Sequence, residues 1–202
     1  MNKISVIVPC YNEEESLTVF HRETAAVLKK IEEADYEFVF VDDGSSDKTL
    51  EIIKELAAED SHVRYVAFSR NFGKEAGMYA GLSEASGDYM VIMDADLQHP
   101  PALLPAMYEA VSKEGYDLCG GLRMGREGDS KLRGIFSRAF YKVSKKLTHM
   151  DMSDGHGDFR MMNRKVAEAI LEMKEYNRYM KGLFSFVGFD TKWIEYESVE
   201  RV

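Results

Sequence analysis

The sequence predicts an α/β fold with a mainly parallel central sheet flanked by helices. Three observations carry this. Short, β-branched apolar runs recur through the first 120 residues, an amphipathic stretch of helical length follows most of them, and the connections are too long for hairpins. Strands joined by helices pair in parallel through right-handed crossovers.

Taken in order, Ile4–Val8 is an apolar run ended by Pro9 and reads as a buried strand. Residues 14–33 carry Leu17, Phe20, Ala25, Val27, Leu28 and Ile31 among charges, a helical pattern. Glu37–Val41 is a second strand, Asp47–Glu59 a helix and Val63–Phe68 a third strand. Lys74–Ser86 is a small-residue helix closed by Gly87, and Tyr89–Met93 a fourth strand. Pro100–Lys113 is a helix that begins with prolines, and Asp117–Gly121 a fifth strand. The length of 202 residues suits a single domain with a substantial core.

Composition excludes several classes. A net charge of −9 argues against non-specific nucleic-acid binding, so no nucleic-acid partner is expected. The sequence has no run of the roughly 18–20 apolar residues that a membrane span needs. The apolar run at the start is too short for a signal peptide, and acids follow it at once. Cys10 and Cys119 are expected to be reduced, buried thiols of a cytosolic chain. Neither the G-x-G-x-x-G of a dinucleotide fold nor a P-loop occurs, which disfavours an NAD enzyme and a Walker ATPase. The five histidines show no metal-ligand spacing and read as surface or structural residues.

In parallel α/β sheets, ligands bind beyond the carboxyl ends of the strands. Four segments lie there: Pro9–Glu13, Asp42–Ser45, Ser69–Lys74 and Asp94–Gln98. All are polar or charged, and three contain acids. Asp94 and Asp96 are two apart, so in extended backbone both carboxylates face one side. Two hard oxygen donors there suit Mg²⁺ or Mn²⁺, with Gln98 as a neutral oxygen. The plainer reading is a pair of turn or cap aspartates before the Pro100 helix. After the second strand, Gly44 permits a tight turn, and Ser45, Ser46 or Asp47 can cap the next helix. That leaves Asp42 or Asp43 free to accept from a nucleobase imide. Tyr11 offers a face for stacking, and Arg70 and Lys74 offer cations for a pyrophosphate.

Between Gly121 and Lys146 eight basic residues face two acids, and Leu132, Ile135, Phe136, Ala139, Phe140, Val143 and Leu147 recur at helical spacing. This is a basic amphipathic helix. It is either an ordinary packed helix with a solvated face or, over 131–146, a contact with an anionic membrane surface or a phosphate-bearing substrate.

Together, IVPCYNEEES, FVFVDDGSSDKT, FSRNFGKEAG and YMVIMDADLQHPP resemble, in this order, the family 2 glycosyltransferases with a GT-A fold. The resemblance spans essentially the whole chain. It is strongest to the branch that includes dolichyl-phosphate mannosyltransferases and undecaprenyl-phosphate sugar transferases, and Gly121-Leu-Arg123, Gly157-Asp-Phe-Arg160 and Lys181-Gly-Leu extend it. It implies an inverting transfer of a hexose from a nucleotide sugar to a polyprenyl phosphate on the cytoplasmic side of the cell membrane. UDP-glucose is the first donor to consider; UDP-GlcNAc, UDP-galactose and GDP-mannose follow. By position, Pro9, Tyr11, Glu13, Val41 and Asp43 would hold base and ribose, with Arg70 and Lys74 nearby. Asp94 would contact the nucleotide and Asp96 the metal, with Gln98 assisting. Arg123 and Arg160 would face phosphates. Asp158 would lie near the reacting sugar, as a base or as an acceptor-orienting group. Residues 1–120 would form the donor half and 121–202 the acceptor half.

Similar bacterial enzymes continue with a basic juxtamembrane segment and two membrane-spanning helices, whereas this chain stops at Val202. The expectation is a truncated, soluble form of a membrane-anchored enzyme, and a homo-oligomer stays open. The rival readings are a family 2 enzyme acting on a glycan hydroxyl, a sugar-phosphate nucleotidyltransferase and a nucleotide-binding module without turnover.

Overall fold

A computed structural model of the protein describes residues 1–124, 156–175 and 177–197. Seven strands form one sheet: β1 (Asn2–Cys10), β2 (Ala34–Asp42), β3 (Val63–Ala67), β4 (Tyr89–Ile92), β5 (Leu118–Arg123), β6 (His156–Asn163) and β7 (Thr191–Tyr196). Their spatial order is β3-β2-β1-β4-β6-β5-β7. β1 pairs in parallel with both β2 and β4, β2 with β3, and β5 with β7. β6 runs antiparallel between β4 and β5, so it is the one reversed strand among the described residues.

The helices among the described residues are α1 (Leu17–Leu28), α2 (Thr49–Glu59), α3 (Lys74–Glu84), α4 (Leu104–Ser112, preceded by a short 3₁₀ turn at Pro101–Leu103), α5 (Arg164–Glu172) and α6 (Met180–Phe186). All nine elements expected in the first 123 residues are present. The first helix is shorter than the sequence suggests: after Leu28 the backbone tightens into three-residue turns that still pack Ile31. The basic segment 131–146 lies outside the described residues. No helix among those described is long and apolar enough to cross a membrane.

The sheet separates two cores. Strand alternation sends Ile4, Val6, Val8, Phe38 and Phe40 to one face, with Phe20, Ile53 and Met107 from α1, α2 and α4. Ile7, Met90 and Ile92 face the other, against Met78 and Leu82 of α3, Ile170 of α5 and Phe184 of α6. Cys10 and Cys119 are buried and free, as their number suggests.

β6 and β7 are the strands the hydrophobic pattern hides. Phe159, Met161 and Met162 of β6 are fully buried, but Asp158 and Arg160 interrupt the run. The α5 signal was present: Asn163 caps the helix by accepting from the Val166 N–H, and Val166, Ala167 and Ile170 make its buried face.

Two contacts fix the seating of α3. Gly81 lies so close to β1 that an added Cβ would be 2.3 Å from Ile7 Cγ2, a fully buried β-branched side chain. At the opposite end of β1, Glu37 is almost fully buried and binds β1, β2 and the end of α3 together. It accepts from Lys3 Nζ at 2.8 Å, Ser5 Oγ at 2.6 Å and the Ser86 N–H at 2.7 Å. Burial alone would raise its pKa, but the hydrogen bonds from Lys3, Ser5 and Ser86 outweigh it and bring the carboxyl down to about 2.

A helical Gly→Ala change ordinarily gains about 1 kcal/mol. At Gly81 the clash reverses the sign, and thermal unfolding of Gly81→Ala should show a loss of about 1–3 kcal/mol. A depressed carboxyl contributes stability above its unfolded value, near 4.3, and loses it as pH falls toward the folded one. Glu37→Gln should therefore cost on the order of 2 kcal/mol at pH 7 in urea unfolding, and the gap to the unmodified protein should narrow steadily below about pH 4.

Candidate active site

The connection from β1 to β2 leaves on one side of β1, and β4 pairs on the other. This change of direction opens a crevice at the carboxyl ends of β1 and β4. A cleft of about 300 Å³ lies there, lined by Pro9, Cys10, Tyr11, Glu13, Asp43, Asn71, Gly73, Lys74, Asp94, Ala95 and Asp96. All four segments named from the sequence meet in it.

The loops around the cleft are tied to one another. The Asn12 N–H donates to Ser45 Oγ, the Ser46 N–H to Asn12 Oδ1 and the Glu13 N–H to Thr49 Oγ1. The N-cap position of α2 falls on Lys48, which makes no side-chain cap; Asp47, one residue before it, accepts from the N–H groups of Thr49 and Glu14, while Ser45 and Ser46 turn to Asn12. Asp42 accepts from the Ser45 N–H across the turn. Asp43, 3% exposed, accepts from the N–H groups of Phe72 at 2.6 Å and Gly73 at 2.9 Å. Both carboxylates thus have structural work that the sequence left unexplained. Gly44 holds φ +69 with the Arg70 backbone packed where its Cβ would be.

Beyond β4 the chain turns at Ala95 and Asp96 instead of continuing extended; Asp94 and Asp96 both reach the cleft, and the otherwise buried Ala95 lines it between them. The Gln98 N–H donates to Asp96 Oδ1, so Asp96 also serves the turn. Leu97 is held at φ 59, a conformation that costs a branched L-residue roughly 1–2 kcal/mol. His99 sits behind this loop, buried, and stacked on Phe159 with ring centroids 4.9 Å apart. Its Nδ1 accepts the Asp94 N–H at 3.2 Å, which requires that nitrogen to be unprotonated. Burial holds the imidazole pKa below its usual value despite the nearby Asp94 carboxylate. His99 is therefore a neutral brace for the acidic loop, a structural role in keeping with the sequence reading.

Lys74, the first residue of α3, crosses the cleft. Its Nζ lies 2.6 Å from Asp94 Oδ1, 2.8 Å from Asp94 Oδ2 and 2.9 Å from Asp158 Oδ2. Burial works against its charge, but Asp94 and Asp158 outweigh it and raise its pKa to about 12. Burial likewise opposes ionisation of Asp158, and Lys74, Lys181 and Arg160 together still pull its pKa below the usual range. Next in sequence, Glu75 accepts the Met180 N–H at 2.8 Å, at the start of α6. The first turn of α3 thus touches both halves of the sheet. The sequence gives no sign of Glu75 as a positioning residue, because its partner is a backbone amide 105 positions away.

The structure brings Pro9, Tyr11, Glu13, Asp43, Lys74, Asp94 and Asp96 into the cleft, with Asp158 joined through Lys74. Other candidates lie elsewhere. Val41 is fully buried, and the pleat of β2 turns its side chain beneath Gly77 and Gly81 of α3, away from the cleft. Arg70 is exposed on the rim, its guanidinium 3.9 Å from the centre of the Phe72 ring. Gln98 and Arg123 are half-buried beyond the lining residues, Arg123 opposite Tyr196 at the end of β5. Arg160 is buried between Phe184 and Trp193, with Nε donating to the Gly157 carbonyl. Burial draws its pKa down to about 10, so it remains charged at neutral pH.

The family model for glycosyl transferase family 2 matches residues 5–171. The chain belongs to this family. It is 46% identical over 198 residues to CsbB of Bacillus subtilis (strain 168), covering 98% of this chain and 59% of that protein. It is 40% identical over 200 residues to the bactoprenol glucosyl transferase of Shigella phage SfV, covering 99% of this chain and 64% of that one. The chain therefore spans about three-fifths of the length of these curated relatives. Among solved structures, the Mycobacterium tuberculosis glucosyl-3-phosphoglycerate synthase in complex with Mn²⁺ and UDP-glucose superposes with a TM-score of 0.62. At 19% identity, it covers all of this chain and 72% of that one. The fold is the GT-A fold of glycosyltransferases, as the family resemblance implied.

Asp43→Ala should release the 69–73 loop. Hydrogen exchange at the Phe72 and Gly73 amides should quicken, and unfolding should show a loss of about 1–3 kcal/mol. Unchanged protection at those amides would remove Asp43 from the role of loop tether.

Proposed function

We propose that the chain is the catalytic part of an inverting glucosyltransferase that moves glucose from UDP-glucose to a polyprenyl phosphate at the cytoplasmic face of the membrane. The observation that carries this reading is the cleft at the β1/β4 crevice, where Asp94 and Asp96 face the same space and Lys74 links Asp94 to Asp158. The relatives named as bactoprenol glucosyl transferases support the acceptor. The fold relative bound to UDP-glucose supports the donor.

In this reading, Tyr11 and Pro9 stack on the base, while Glu13 and Asp43 accept from ribose or base. The two-carboxylate set fits a hard divalent cation, which takes one or two carboxylates and completes its shell with substrate phosphate and water. Asp94 and Asp96 would hold Mg²⁺ or Mn²⁺, with Gln98 alongside, and the ion supplies Lewis-acid neutralisation of the diphosphate charge. An acceptor phosphate oxygen forms a bond to the anomeric carbon, the bond from that carbon to the β-phosphate oxygen breaks, and UDP leaves with the electron pair. Residues 1–120 form the donor side, and the acceptor side lies in 121–202. There, Arg123, Arg160 and the basic segment 131–146 would favour an anionic lipid headgroup.

Asp158 bears on the choice of acceptor. A hydroxyl acceptor needs a general base with a pKa near the working pH. Asp158 is held by Lys74 with its pKa below the usual carboxylate range, which makes it a poor base and a good orienting group. A phosphate monoester is already ionised and needs no such base.

The test is transfer from radiolabelled UDP-glucose to undecaprenyl phosphate in detergent with Mn²⁺. A glucose-labelled, organic-extractable lipid is expected; label that passes only to soluble glycans would overturn the acceptor assignment. Asp96→Asn should cut turnover at least ~100-fold with an unchanged circular dichroism spectrum. Turnover retained in that folded variant would reject Asp96 as a metal ligand.

A further inference from the structure

The described residues lining the cleft set four carboxylates, Glu13, Asp43, Asp94 and Asp96, against one cation, Lys74. The Lys74 ammonium faces both oxygens of Asp94 and one of Asp158. These Asp94 oxygens are the ones a divalent ion would use. A divalent ion and an ammonium cannot share one carboxylate without strong repulsion between them. The lysine stem can move. It is rooted at the first turn of α3, its side chain is 42% exposed, and the neighbouring Gly73 has open space around it. Asp158, on β6 across the cleft, gives the ammonium a second anchor that no metal role needs.

Resting on the donor reading above, we propose that Lys74 is the built-in counter-ion of the cleft. Before donor binds, its ammonium neutralises Asp94. When the divalent ion and diphosphate enter, it yields Asp94 and turns to a phosphate oxygen while keeping Asp158. Lys74 thereby makes metal and nucleotide binding interdependent: the metal alone must displace the lysine, whereas metal and diphosphate together give the ammonium a new partner. This coupling is reciprocal by linkage.

The experiment is Mn²⁺ binding, read from the electron paramagnetic resonance signal of the free ion, for the unmodified protein, Lys74→Met and Lys74→Gln, with and without UDP. Without UDP, the two variants should bind Mn²⁺ about 5-fold or more tightly than the unmodified protein. The gain in Mn²⁺ affinity on adding UDP should shrink by a similar factor or more. Lys74→Arg should retain the unmodified behaviour, since it keeps the charge. Either neutral variant suffices if the other fails to fold. Equal or weaker Mn²⁺ binding in a folded neutral variant overturns the proposal and leaves the donor site standing. If the unmodified protein and both neutral variants all bind no Mn²⁺, even with UDP, the metal assignment falls and the proposal falls with it. Binding that is lost in Asp94→Asn but unaltered by any change at Lys74 also rejects the counter-ion role.

Discussion

The parallel pairing of β1 with both β2 and β4 is the constraint on which the site depends. Because the chain leaves β1 in one direction and β4 joins from the other, no crossover covers the carboxyl ends between them. That gap is the cleft. A single register places Pro9 and Cys10 beside Val41 and Asp42 and brings Ile7 against Ile92, two residues before Asp94. A shift of one residue would turn every β4 side chain to the opposite face and take Met90 and Ile92 out of their core. The close seating of α3 on Ile7 and the Glu37 network at the other end of β1 hold this register.

The cleft is built largely from groups that also hold its loops in place. Asp43 tethers the loop that carries Lys74, Asp96 closes its own turn, and His99 holds the backbone of Asp94. Under the proposed function, such placement would make donor recognition and loop geometry inseparable by substitution at one position. It also accounts for the left-handed Leu97: tight folding of the acidic loop over Phe159 and His99 sustains a conformation that an isolated segment would not keep.

The reversed strand β6 gives the family fold its second wall. By running antiparallel between β4 and β5, it carries Asp158 back toward Asp94 although 64 positions of sequence separate them. Lys74 closes that distance with two ion pairs, and Glu75 extends the link to α6. The first turn of α3 thus joins the loop after β4 to β6 and α6.

Local pattern was enough for the first four strands and the helices between them, because each carries an apolar period and a clear boundary residue. It pointed to the acidic pair, but not to its geometry: β4 ends at Ile92 and the chain turns at Ala95 and Asp96, so the loop, not the repeat of an extended chain, brings Asp94 and Asp96 to the cleft. It could not show β6, whose charged residues mask a buried strand, nor where Val41 points, which depends on the helix packed above it. It left one of Asp42 and Asp43 without a structural role, whereas both accept from backbone amides, supplied by a turn and by a distant loop. The bridge from Lys74 to Asp94 and Asp158 joins three chain segments, and proximity of that kind arises only when the sheet brings remote strands to one edge.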